Sequence, residues 1–112
     1  MTTQLIRCRY TAEGFKGMLT SPSDRGAAIE KLFGALDMKV TNIFFSTSTC
    51  ELYILSESSA TMAQLAAAEM IVQGTGAVAD IQVMNLMDTN TMVEAMTLGG
   101  KISGLYKAPS EA

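Results

Sequence analysis

Residues 47–55 read Thr-Ser-Thr-Cys-Glu-Leu-Tyr-Ile-Leu, setting a thiol, Cys50, beside a carboxylate, Glu51, where a polar stretch becomes an apolar run. A reactive thiol or an acid–base carboxylate is the chemistry such a pair offers. Strand alternation separates the two groups. It puts Cys50, Leu52 and Ile54 on one face, and Glu51, Tyr53 and Leu55 on the other. Cys50 is therefore expected against the helices together with Cys8, both as structural thiols in the core. The two cysteines stand 42 residues apart, form no CxxC pair and have no histidine for company, so no metal site is expected.

A second set of chemistry-bearing residues comes from the N-terminal segment Gln4–Tyr10. Its period of two turns Ile6, Cys8 and Tyr10 toward the helices and Leu5, Arg7 and Arg9 away from them. With the first strand between the third and fourth, the face opposite the helices gathers Arg7, Arg9, Glu51, Tyr53, Asp80 and Gln82. These six are the candidate ligand-binding residues. A guanidinium fork there would orient a small anionic or carbonyl-containing molecule, with the carboxylates limiting what is accepted. The competing role is a set of salt bridges at a sheet-to-sheet dimer interface, which uses the same groups.

The elements that must position these residues follow from periodicity and punctuation. Residues 11–20 contain two glycines and read as a loop, interrupted at most by one helical turn. In Ser21-Pro22-Ser23-Asp24, Ser21 is expected to cap a helix with Pro22 in its first turn and Asp24 as the capping-box acid. Ala28, Ile29, Leu32, Phe33 and Leu36 follow at helical spacing. Strands are expected over 40–47 and 50–57, then an alanine-rich helix over 61–73, which Gly74-Thr75-Gly76 stops. A fourth strand spans 78–86. A terminal helix spans 88–98 and ends at Gly99-Gly100, followed by an irregular tail from about residue 100, or an arm across another subunit. The order is βαββαβ with an additional C-terminal helix, an α+β class with a ferredoxin-like antiparallel sheet covered by helices on one side.

A chain of 112 residues fits one domain over 1–112. Eight Lys and Arg against eleven Asp and Glu give a formal charge of −3 with no basic run, which excludes the electrostatic footprint of a nucleic-acid binder. No segment reads as a signal peptide or a membrane span, and free thiols point to the cytoplasm. Gly14, Gly17, Gly74 and Gly76 match no nucleotide-phosphate motif, and no cofactor is expected. Met84, Leu86, Met87, Met92 and Met96 suit a packed helix, a pocket wall or an interface better than a copper site.

Arg9-Tyr10-Thr11, Ser21-Pro22-Ser23-Asp24-Arg25, the alanine-rich second helix and Gly74-Thr75-Gly76-Ala77-Val78 together resemble the GYD-domain family over most of residues 5–98. The resemblance implies a dimeric ferredoxin-like protein of α/β-barrel architecture, related to small monooxygenases. The namesake Gly-Tyr-Asp positions correspond to Thr49-Cys50-Glu51, so the acidic charge is kept and the aromatic hydroxyl is lost. The expected function is a homo-oligomeric small-molecule-binding or protein-interaction module. The alternative is a cofactor-independent enzyme, oxidase- or monooxygenase-like or acid–base, with its site in the dimer barrel.

Overall fold

The computed structural model describes residues 2–110. Strand β1 (Thr2–Tyr10) is followed by helices α1 (Ala12–Thr20) and α2 (Arg25–Ala35), then by strands β2 (Met38–Ser46) and β3 (Glu51–Ser58). Helix α3 (Met62–Gly74), strand β4 (Val78–Leu86), helix α4 (Thr89–Ile102) and a 3-10 turn (Ser103–Leu105) complete the order. The result is a mixed α+β fold, broadly ferredoxin-like, with more helix than a βαββαβ unit plus one terminal helix.

The four strands form one antiparallel sheet in the order β2-β3-β1-β4. Strands β2 and β4 are its two edges and do not pair with each other, so the sheet is open. That corrects the α/β-barrel architecture expected from the family resemblance: no barrel is closed by this sheet.

The core lies on one face only. Ile6, Cys8 and Tyr10 of β1, Met38 of β2, and Leu52 and Ile54 of β3 are buried with Phe33 of α2. Ile29, Leu32, Leu36 and Leu65 pack against them from α2, its C-terminal cap and α3. The alternation is sharp in β3, where Leu52, Ile54, Ser56 and Ser58 are buried and the residues between them half-buried. Helices cover the first set; among the described residues no element covers the second.

Three local readings are corrected. Residues 11–20 are not a loop but α1, capped by Thr11, whose hydroxyl accepts from the Gly14 backbone N–H at 3.1 Å. Gly14 is required by a close approach: a Cβ there would lie 2.4 Å from the Ala77 carbonyl oxygen. The glycine therefore marks helix-to-strand packing rather than a turn. Ser21 closes α1, its N–H donating to the Gly17 carbonyl at 2.9 Å, and the cap of α2 is Asp24, which accepts from the Ala27 N–H at 3.1 Å. Finally, α4 does not stop at Gly99-Gly100 but runs through both to Ile102, so the irregular tail begins later than expected. No helix among the described residues is long and apolar enough to cross a membrane.

Candidate functional site

The uncovered sheet face is built from alternate residues of adjacent strands. Register sets Arg7 between Tyr53 and Gln82, Arg9 opposite Glu51, and Leu5 between Leu55 and Met84. Phe44 of β2 extends the Arg7 row beyond Tyr53. Glu51 is thus a diagonal neighbour of Arg7, a separation that long side chains bridge.

Four of the six sequence-derived candidates form one network. Arg7 Nη1 makes an ion pair and hydrogen bond with Glu51 Oε2, and Arg7 Nε donates to Gln82 Oε1 at 3.3 Å. The Tyr53 hydroxyl donates to the other Glu51 oxygen at 2.8 Å. These hydrogen bonds, Arg7 first and then Tyr53 and Thr49, hold the Glu51 carboxyl down at about 2, from an ordinary 4.5. The same Glu51 contact and partial burial push the Tyr53 phenol up. The side chains of Arg7 and Glu51 are only 26% and 12% exposed.

Arg9 and Asp80 make a second ion pair through Nη2 and Oδ2, about half exposed on each side. It forms beside an irregularity in the ladder. Between Arg7 and Arg9 the β1–β4 ladder shifts by a residue on β4, and Asp80 takes φ 54° there. Such a bulge re-aims the side chain of the extra residue. Asp80 is held below the usual carboxylate range by its hydrogen bond to Arg9, and Arg9 is raised in turn.

Cys50 is not where alternation puts it. It precedes β3, in the turn after Ser46, with φ 61° and half-buried, its N–H donating to the Thr47 carbonyl at 3.3 Å. The expectation that Cys50 shares the helix-side core with Cys8 is therefore corrected: the strand period starts one residue later, at Glu51. Cys8 is buried in that core, and burial pushes its thiol up to about 11 despite nearby Arg7. Cys8 thus lacks the accessible setting that makes a thiolate.

Apolar side chains flank the network. Leu5 and Leu55 are half-buried; Phe44, Met84 and Leu86 are exposed, Phe44 by 62%. Sequence reasoning missed two other concavities. A cleft of about 600 Å³ opens at the start of α2, lined by Asp24, Arg25, Thr41 and Phe45 among others; the Ser-Pro-Ser-Asp signal there was read only as a cap. A narrow, almost wholly apolar gap lies between α2, α3 and the sheet, with Cys8 among its lining residues. The cleft has the volume, but the open face has the connected charge and hydrogen bonding. Among the described residues no group of three His, Cys, Asp or Glu side chains converges to hold a metal ion.

Comparison with curated proteins and with solved structures returned no match. The model of the GYD domain matches residues 5–96, which takes in every strand, the first three helices and the first half of α4. The chain belongs to the GYD domain family.

Proposed function

We propose that this chain is a self-associating interaction module, in which a second copy covers the open sheet face and encloses the Arg7–Glu51–Tyr53–Gln82 network. One observation carries the reading: Leu5, Phe44, Leu55, Met84 and Leu86 occupy a sheet face with no covering layer among the described residues. An antiparallel sheet stands bare in water when its outer residues are polar, and a face with this apolar content is an interaction surface by composition. The charges on it are compatible with being covered. Arg7 and Arg9 each already face a carboxylate, so covering them strands neither guanidinium.

The low Glu51 proton affinity supports this reading over acid–base catalysis, because a general base works best with a pKa near the working pH. A ligand-binding role has its own specific support. Among the described residues Arg7 uses Nε and Nη1, while Nη2 has no hydrogen-bond partner, which leaves a guanidinium edge for a small anionic or carbonyl-containing molecule. Two free thiols fit a cytoplasmic, reducing setting.

Light scattering on Leu5→Glu and Leu55→Glu tests the interface. Both side chains lie off the helix-side core, so the variants are expected to keep their circular dichroism while the dimer dissociates. Folded variants that remain dimeric would contradict the proposal. Native mass spectrometry of wild type and Arg7→Ala tests the ligand: a co-purifying small molecule lost in the variant is the expected result, and equal retention would remove Arg7 from that role.

A further inference from the structure

We propose that α4 is an arm that packs on a second copy of this chain, extending the interface formed by the open sheet face. The inference rests on that reading of the sheet. Every residue of α4 is exposed, although six of its 14 are apolar. At 100° per residue, Met92, Val93, Met96, Gly99 and Gly100 fall together, and Ala95, Leu98 and Ile102 continue the surface round the helix. Asn90, Glu94, Thr97 and Lys101 share the remaining side, and only the first-turn Thr89 and Thr91 interrupt the apolar arc. Apolar and small residues thus occupy well over half the circumference, the pattern of a helix covered on most sides.

Stability demands a cover as well. An isolated helix of fewer than about 12 to 15 residues is marginal in water even when rich in alanine. This one has 14 residues and includes two interior glycines, each costing about 1 kcal/mol relative to alanine. Packing must therefore stabilise it, and its own domain supplies none. The connection from β4 is only Met87-Asp88, the Asp88 side chain caps the helix by accepting from the Thr91 N–H at 2.7 Å, and no residue of α4 is buried against its own sheet. The chain is 58 Å long with a radius of gyration of 18.1 Å, against about 13 Å for a compact domain of this length.

Area and continuity favour a second copy as the occupant. Four strands of eight or nine residues present roughly 19 by 30 Å, and a 14-residue helix adds a strip of about 21 by 10 Å. Together these approach the roughly 800 Å² per partner that a stable interface of ordinary size buries, whereas the sheet face alone falls short. Met84 and Leu86 lead from the open face through Met87 to Met92 and Met96, all exposed, so one apolar surface runs from sheet to arm. Because Arg7 and Arg9 are already paired with carboxylates of their own chain, an apolar helix laid beside them strands neither guanidinium.

Two experiments on the full chain test this. First, a benzophenone side chain is placed at position 96, or at position 101 as a control, and nitrogen-15-labelled and unlabelled copies are mixed before irradiation. We expect inter-copy adducts from position 96, mapped by mass spectrometry to the partner's sheet strands, in about tenfold higher yield than from position 101. Adducts within one copy only, equal yields, or adducts on α2 or α3 would overturn the arm. Second, the double variant Met92→Glu/Met96→Glu is expected to weaken the dimer by about tenfold or more with its sheet intact. A dimeric wild type whose affinity is unchanged in that variant refutes the arm alone; a monomeric wild type refutes the sheet-face reading with it.

Discussion

Glu51 receives hydrogen bonds from Arg7 and Tyr53, and its folded pKa of about 2 lies below the ordinary 4.5. A carboxyl depressed on folding stabilises the native chain above its unfolded pKa, and that contribution disappears as pH falls through the folded value. Asp80 and Asp88 are shifted the same way, by Arg9 and by the Thr91 cap. We therefore expect urea midpoints to fall between about pH 5 and pH 2. The dependence should be shallower in Glu51→Gln; an identical profile would mean that the network is not formed in solution. Cys8 behaves oppositely. Its folded thiol stays protonated up to about 11 while the unfolded thiol ionises near 9.0, so stability is lost as pH rises between those values. In a thiol-titration assay Cys50 should react promptly and Cys8 only on unfolding; two equally fast thiols would contradict the burial of Cys8. The open-face candidates were legible because a period of two fixes which residues share a face. What the sequence does not announce is where that period begins. Cys50, in a left-handed turn, stands one residue before it, and alternation has no way to signal the bulge that sets Ala79 opposite Arg9, although Asp80 still meets Arg9 as its period places it.

At the scale of elements, α1 depends on Gly14. Alanine there would press a Cβ against the Ala77 carbonyl, and the backbone on both sides would have to move. We expect Gly14→Ala to cost about 2 kcal/mol or more, in the range of overpacked sites. Gly17→Ala, with nothing within 4 Å of the added carbon, should stabilise α1 by up to about 1 kcal/mol. Chemical denaturation of the pair separates the effects, and equal midpoints would show that α1 does not pack on the start of β4. This contrast explains why α1 was read as a loop. Glycine composition is local information, whereas the contact that requires Gly14 comes from a segment more than sixty residues away. The strands and α3 were legible because their signals are local: alternation in β3, and a Thr61–Gln64 capping box satisfied in both directions. Gly99-Gly100 misled in the opposite sense, since α4 continues through both.

For the whole molecule, a one-sided core, an apolar outer sheet face and an exposed terminal helix are the features that the proposed association answers. In the proposed dimer a second copy would cover all of them with the same surface. Sedimentation of the full-length wild type over a wide concentration range tests this most directly. We expect a single species of twice the 11.9 kDa chain mass, persisting to micromolar concentration or below, as interfaces of ordinary size do. A species of 11.9 kDa at every concentration, still folded by circular dichroism, would contradict the proposed interface.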